Sequence, residues 1–325
     1  RTIEYWDGNF WRQVDNTTTS GRGVCSGGWN PNNSAVNASM DVFSLTSQGN
    51  AIDFGTLVQS QSQAASVSNS IRGIVAGGGP GNDTHMEYYT IASGGDGLDF
   101  ANLNTGRRRA GGLGSSTRGL ICGGRAPGAI SAVDYTQIMT TGFAEEFGNL
   151  TTGKNGPSTV SSPTHGIITN GYGQSSIDKV TIASKGNAIL VGTDMFWGGY
   201  ATGGASTGTR GVWGGGYTAA AVSPYSGMST TSVRGVDIAS GGNSTEFGNL
   251  IYSQYNTYNC GTGSNVRGFW MGGAAEPLAA ALYAGPHIVM MNLKSGGESE
   301  HWGDLPIGRS GCTAFSDCHG GLGGY

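Results

Sequence analysis

The sequence has few charged residues and no long apolar segment. Charged side chains make up 12 % of the chain, about half the usual share, and the net charge is −4. A nucleic-acid-binding protein needs a clustered basic face, so we expect no nucleic-acid partner. No run of 18 apolar residues occurs, which predicts that no helix inserts into a membrane. No charged segment followed by an apolar one opens the sequence, so no signal peptide is predicted.

The sequence also lacks the usual signatures of metal and catalytic sites. Its five cysteines include no Cys-x-x-Cys pair, and its five histidines are scattered without compact ligand spacing. We therefore expect no cofactor, no metal site and no enzymatic activity. Cys25 and Cys122 are predicted to be small buried hydrophobic residues. Cys312 and Cys318 flank one predicted hairpin, and a disulfide between them is left open.

Glycine is the residue in excess, at 61 of 325 residues against a usual share of about 7 %. Gly, Ser, Thr and Asn are poor helix formers. The seven Trp, 13 Tyr and ten Phe residues are too many for a typical disordered chain. The composition therefore predicts an all-β protein with many tight turns.

Four short elements recur with a period of about 50 residues. The first is Arg-Gly, three mostly apolar or small residues and Gly-Gly, as in 118–124. The second is typified by 133–138, the third is Glu-Phe-Gly-Asn-Leu at 146–150, and a looser fourth carries arginine or small residues, as in 107–112. The repeats start near residues 22, 72, 118, 165, 210, 267 and 319.

Each element has the length and composition of a β-strand, and turn residues bound it. Four strands per period describe one blade of a β-propeller, in which closing the ring removes most unpaired strand edges. We therefore predict a single β-propeller domain over residues 1–325. Seven blades are favoured, because the strand-like segments 2–6 and 309–325 at the two ends of the sequence can share one blade. Six blades are the alternative.

The diglycines and the aromatic positions Tyr89, Tyr135, Phe100 and Phe147 resemble those of kelch-type propellers. The specific motifs, Arg-Gly-x-x-x-Gly-Gly and Glu-Phe-Gly-Asn-Leu, resemble those of kelch-like repeat proteins of tailed bacteriophages, notably marine and cyanobacterial phages. That resemblance implies a virion protein. The copper site of one kelch oxidase family, with its Tyr, His and Cys ligands, has no matching set here.

The repeated arginines have two interpretations. They could form a cationic rim that binds anions, or each could span two blades and satisfy main-chain carbonyls, and the second is favoured. The arginines concerned are Arg22, Arg72, Arg118, Arg210 and Arg267. Carboxylates at equivalent positions of successive repeats, such as Asp99 and Glu146, are likewise interpreted as structural.

The loops between the second and third strands vary most in length and are rich in aromatic residues. Variable loops on a rigid scaffold commonly carry binding sites, and exposed Tyr and Trp give rigid contact area. Packing between blades is the alternative role. The candidate ligand-binding residues on this face are Trp29, Trp197, Tyr200, Tyr217, Tyr225 and Tyr255.

The sequence thus predicts a non-enzymatic structural or adhesion protein of a tailed-phage virion. Its expected partners are other virion proteins and a host-surface polysaccharide, and we expect several copies per particle. A tail-fibre or appendage position is favoured over a head decoration protein. A carbohydrate-active or oxidase enzyme on the same fold is the alternative from another class, and a kelch adaptor for protein partners is a weaker one.

Overall fold

The computed structural model describes residues 3–6, 11–14, 21–30, 35–194, 199–218, 230–252, 260–273 and 284–318. These residues form strands and turns and include no helix. Six antiparallel sheets are arranged as a β-propeller with six blades. We name the four strands of each blade inner, second, third and outer, counting from the ring axis.

Each blade follows the order of the sequence elements, and only the inner strand of blade 1 comes from elsewhere. Blade 1 consists of Thr313–Ser316, Arg22–Ser26, Ser39–Ser44 and Ile52–Thr56. Blade 2 consists of Ala65–Ser68, Arg72–Ala76, His85–Thr90 and Leu98–Asn102. Blade 3 consists of Gly111–Gly114, Arg118–Cys122, Ala132–Gln137 and Glu145–Asn149.

The remaining blades repeat the pattern. Blade 4 consists of Ser158–Ser161, His165–Thr169, Ser176–Thr181 and Ile189–Thr193. Blade 5 consists of Gly203–Ser206, Arg210–Gly214, Ser232–Asp237 and Thr245–Asn249, with Gly297–Glu298 added parallel to its outer strand. Blade 6 consists of Gly261–Gly263, Arg267–Met271, His287–Asn292 and Glu300–Asp304.

The structure has the alternative number of blades, six rather than seven. Strand Thr313–Ser316 pairs with Arg22–Ser26 and completes blade 1, so the late part of the sequence closes the ring. Strand Ile3–Trp6 pairs instead with Trp11–Val14 in a separate hairpin. The expected seventh blade does not form because each of these segments pairs elsewhere. The predicted repeat start near 319 lies outside the described residues.

Two further short two-stranded sheets lie outside the blades. Trp29–Asn30 pairs with Ala35–Val36, and Gly199–Tyr200 pairs with Tyr217–Thr218. Strands alternate direction, so second-to-third connections and the connections between successive blades lie at the same end of the sheets. We call this end the loop face, and both short sheets lie on it.

The inner strands contact one another around a closed ring, and the hydrophobic clusters lie between adjacent blades. In the Arg-Gly pair, glycine makes this packing possible. A Cβ atom at Gly119 would lie 2.5 Å from Val67 of blade 2, and one at Gly73 would lie 2.2 Å from Phe315 of blade 1. The repeat therefore keeps glycine where a neighbouring inner strand inserts a side chain.

The diglycine requires an unusual backbone. Its first residue has φ near +65° in every blade, including +61° at Gly123 and +64° at Asn170, the one non-glycine residue there. Asparagine is among the few other residues that tolerate this left-handed conformation. The degenerate copy in blade 4 thus preserves the turn.

Each blade also has a β-bulge between its third and outer strands. The extra residue on the outer strand is the repeated aromatic position, as at Phe54, Phe100 and Trp302. These three rings are at least 93 % buried. A bulge redirects the side chains that flank it, which matters for the histidines described below.

Candidate functional site

Three tyrosines cluster on the loop face where blades 4 and 5 meet. The ring centroids of Tyr172 and Tyr200 are 5.1 Å apart, those of Tyr200 and Tyr217 are 5.8 Å apart, and both pairs are edge-to-face. Tyr200 is buried between its neighbours, Tyr217 is half-buried, and Tyr172 is 54 % exposed. The cluster therefore presents an aromatic surface to solvent from a packed base.

The structure brings together two of the six predicted ligand-binding residues, Tyr200 and Tyr217. Trp29 lies on the same face but in blade 1, where its main chain pairs with Ser310 and its side chain is half-buried. The other three candidates lie outside the described residues: Trp197, Tyr225 and Tyr255.

Tyr172 is not among the binding residues predicted from the sequence. Trp29, Tyr172 and Tyr217 all directly follow the second residue of the diglycine in their repeats. Aligning the repeats at that position would have identified the third aromatic residue. Its ring is held by the turn after Gly171, where the Tyr172 N–H donates to the Asn155 carbonyl over 2.8 Å.

A second cluster lies on the loop face of blade 6. The Nδ1 atom of His287 is 3.0 Å from Oδ1 of Asp304, and Nε2 of His301 is 3.9 Å from Oδ2 of Asp304. The Tyr252 ring stacks on His287 with centroids 4.4 Å apart. We call His287, His301 and Asp304 the triad, and all three of its side chains are partly exposed.

The expectation that the histidines are scattered is wrong for this pair. His287 begins the third strand of blade 6, and His301 lies on the outer strand that pairs with it. The signal was in the repeat: His301 occupies the acidic position of Glu146 and Asp99, and His287 aligns with His85.

Three buried cysteines meet where the ring closes. The Sγ atom of Cys260 is 2.7 Å from that of Cys312 and 3.6 Å from that of Cys25, and all three lie within 4.8 Å of one another. Sulfur ligands of this kind suit thiophilic ions such as Cu(I).

Cysteine placement decides one alternative that the sequence left open. The hypothesised Cys312–Cys318 disulfide does not form, because the Cys312 thiol faces Cys260 while Cys318 contacts Asp317. Cys25 and Cys122 are fully buried, as predicted, although Cys25 belongs to the three-cysteine cluster. Burial raises the pKa of the Cys122 thiol far above its usual range, which makes that thiol unreactive.

The repeated arginines reach across the blade boundaries. Arg118 of blade 3 donates to the carbonyls of Ile182 and Ala183 in blade 4, at 3.2 and 2.6 Å. The other four make equivalent bonds: Arg22 to Ile91 and Ala92, Arg72 to Ile138, Arg210 to Lys294, and Arg267 to Leu45 and Thr46. Because these bonds satisfy main-chain carbonyl oxygens and link neighbouring blades, the repeated arginines have a structural role.

The boundary between blades 4 and 5 lacks this arginine, because His165 replaces it. There Lys179 donates to the Ala239 carbonyl over 2.7 Å. Ala239 aligns with Ala183, which accepts from Arg118. A cation from a different strand therefore makes the inter-blade bond at this junction.

Buried charges lie beneath the loop face. Arg107 pairs with Asp134 at 2.6 Å, and Arg309 pairs with Asp41. Lys154 takes the repeat position of these arginines and donates to Ser176, and burial lowers its pKa to about 8. In blade 5 the charges are exchanged, because Arg234 on the third strand faces Asp194.

Blade 2 has the buried acid without the buried cation. Its third strand carries Glu87, while the position of the buried cation holds Gln61. Burial raises the pKa of Glu87 to about 7, although the Val58 N–H bond opposes the shift. This carboxyl therefore titrates near neutral pH.

Among the described residues, no helix is long and apolar enough to cross a membrane. No protein-family model matches the sequence, and no curated protein shows significant similarity to it.

Proposed function

We propose that this chain is a non-enzymatic structural and adhesion protein of a tailed-phage particle. In this proposal it is part of a tail fibre or appendage and contacts a host-surface glycan through the loop face, with other virion proteins as its neighbours. The resemblance of the repeat motifs to those of tailed-phage proteins supports the phage origin. The tyrosine cluster supports the binding role.

The observation that carries the proposal is the arrangement of Tyr172, Tyr200 and Tyr217. The C–H face of a sugar ring is apolar and packs on an aromatic ring, while tyrosine hydroxyls can bond sugar hydroxyls. Tyr172 offers the exposed ring, and Tyr200 supports it from a buried position. The geometry suits a shallow polysaccharide contact.

The scaffold favours such a contact because it is already ordered. Inter-blade bonds from Arg118, Arg72 and Lys179 fix the blades that carry the cluster or adjoin them. A preorganised site loses little conformational entropy on binding. Several copies on one particle would raise the avidity of a weak individual contact.

Glycan-array binding of the intact chain tests the ligand class. We expect Tyr172→Ala and Tyr217→Ala to weaken binding by about tenfold or more, in line with the effect of removing an aromatic anchor. The matched control is Phe143→Ala, because Phe143 is 74 % exposed on the third-to-outer connection of blade 3 at the opposite face. Binding that Phe143→Ala weakens equally would contradict a site on the loop face.

Mass spectrometry of purified phage particles tests the virion assignment separately. The chain should be found in mature particles, and antibody labelling should place it on the tail. Its absence from particles would overturn the virion role even if the array showed glycan binding. Presence on the head would replace the adhesion role with decoration.

A further inference from the structure

We propose that His287, His301 and Asp304 form a binding site for a divalent transition-metal ion such as Zn²⁺. Two imidazoles and one carboxylate are a common ligand set for such ions. Their potential ligand atoms all lie within 4.8 Å of one another. This inference is independent of the proposed glycan contact.

The fold explains why these three side chains converge. Side chains three residues apart on a regular strand point to opposite faces, so His301 and Asp304 would normally diverge. The bulge places one extra residue, Trp302, between them. As a result Asp304 lies opposite His287, and His301 lies opposite Val289, two residues along the same strand. All three therefore share one face.

The ligands are also held in place. His287 and Asp304 are directly paired across two strands, and the Trp302 indole N–H donates to the Ser44 carbonyl over 2.8 Å. The Tyr252 ring stacks against His287 at an interplanar angle of 22°. A site on rigid strands with a stacked wall keeps its geometry before the ion arrives.

The distances suit closure around one ion. Metal–nitrogen and metal–oxygen bonds of about 2.0–2.2 Å place neighbouring ligands about 3 Å apart, as His287 and Asp304 already are. His301 needs a small movement from 3.9 Å. The side chains are between 34 and 40 % exposed, so an ion can enter from solvent. Three protein ligands leave a coordination position for water or an external ligand.

The equivalent positions of other blades do not carry this ligand set. The pair aligned with His287 and Asp304 is Ser39 with Thr56 in blade 1 and Ala132 with Asn149 in blade 3. Blade 2 has a histidine at the same place, and His85 Nδ1 lies 3.6 Å from Asp99, but no second imidazole joins them. The full triad thus occurs in one blade of the described structure.

Zinc binding to the intact chain tests the proposal, after removal of metals with EDTA and dialysis. Isothermal titration with ZnCl₂ should show one site per chain. We expect His301→Ala and Asp304→Asn to weaken Zn²⁺ binding at least about 100-fold, since even outer-shell partners of metal ligands contribute about 10–100-fold. His85→Ala is the matched control and should leave Zn²⁺ binding unchanged.

Co²⁺ substitution and X-ray absorption of the unmutated chain give a readout that does not depend on folding of the variants. Imidazole scattering with only nitrogen and oxygen ligands is expected. Sulfur ligands would instead place the ion at Cys25, Cys260 and Cys312 and overturn the assignment. So would the absence of Zn²⁺ binding at micromolar concentration, which would leave a histidine–aspartate hydrogen-bond cluster only.

Discussion

Glu87 occupies the third-strand position at which Asp41 and Asp134 face buried arginines, but its repeat supplies Gln61 instead of a cation. A buried carboxylate without a counter-ion is costly, so the protein favours the protonated form. Burial is the main cause that raises the pKa of Glu87 to about 7; burial also raises the pKa of Asp41 to about 6, but there the Arg309 charge opposes the shift. One repeat position thus serves as an ion pair in two blades and as a titrating acid in a third.

Glu87→Gln should stabilise the protein above neutral pH. The folded-state pKa lies above the unfolded value, so the protonated carboxyl contributes fully below about pH 4.5, and this contribution is lost as pH rises through about 7. Glutamine cannot ionise. At pH 8 we expect the variant to gain up to about 3 kcal/mol in its free energy of unfolding, measured with urea. At pH 4 the difference should vanish.

Asp134→Asn is the matched control, because Asp134 holds the same position in the next blade. Neutralising it leaves the Arg107 charge buried without its partner. Breaking such a pair costs about 3–5 kcal/mol, so this variant should be less stable at pH 8. Destabilisation by Glu87→Gln at pH 8 would contradict the raised pKa.

At the scale of strands, glycine contacts define how closely the blades pack. The sequence shows the Arg-Gly element as a repeat but not its partner, because the partner lies on the inner strand of a neighbouring blade and meets the glycine only in the folded ring. Gly119 receives Val67, Gly166 receives Leu113 and Gly268 receives Ala205. The size of the inner-strand residue varies while the glycine stays constant.

A double-mutant cycle tests this contact. Gly119→Ala should destabilise the protein by about 1–3 kcal/mol, as overpacking does, because the new Cβ would lie 2.5 Å from a Val67 methyl. Adding Val67→Ala should recover part of that loss, giving a coupling energy of about 1 kcal/mol or more. Gly128→Ala is the control, since nothing lies within 4 Å of its Cβ position. Simple additivity would contradict direct contact.

The inter-blade arginines are elements of the same packing. Arg118→Ala should lower the free energy of unfolding by about 1–2 kcal/mol, since it removes charged hydrogen bonds to two blade 4 carbonyls. Arg118→Lys should retain part of this stability, because Lys179 already makes the equivalent bond at the next boundary. Thermal unfolding measures both variants.

Arg125→Ala serves as the control for that prediction. The Arg125 guanidinium donates to the Pro127 carbonyl of its own loop over 2.7 Å. A surface change of this kind costs within about 0.5 kcal/mol. If Arg125→Ala were as destabilising as Arg118→Ala, the hydrogen bonds between blades would contribute no more to stability than a bond within one loop.

The repeat made much of this architecture predictable. Strand order, the four-stranded blade and the turn glycines follow from the period and from local propensity. The count of six blades did not follow, because strand-like segments such as Ile3–Trp6 can pair locally or in the ring, and sequence alone does not choose. The triad of His287, His301 and Asp304 required the bulge register, which local pattern does not reveal.

At the scale of the molecule, one strand links blade 1 to blade 6 and so closes the ring. Thr313–Ser316 pairs with blade 1, and its Ser316 hydroxyl donates to the Gly263 carbonyl of blade 6 over 2.8 Å. Hydroxyls of Ser66 and Ser68 in blade 2 donate to the carbonyls of Ala314 and Ser316, both over 2.7 Å. The closing strand is thus bonded to three blades.

Phe315→Ala should therefore weaken the whole ring. The Phe315 ring is 1 % exposed, stacks with Tyr89 at 6.0 Å and fills the space above Gly73. Truncating a buried phenylalanine costs about 3–5 kcal/mol. If the ring unfolds as one cooperative unit, that loss should appear as faster amide hydrogen exchange in the slowest-exchanging strands of every blade, including blade 4 on the far side. Exchange accelerated only in blades 1 and 2 would show instead that the blades open independently and that the closing strand stabilises its own neighbours alone.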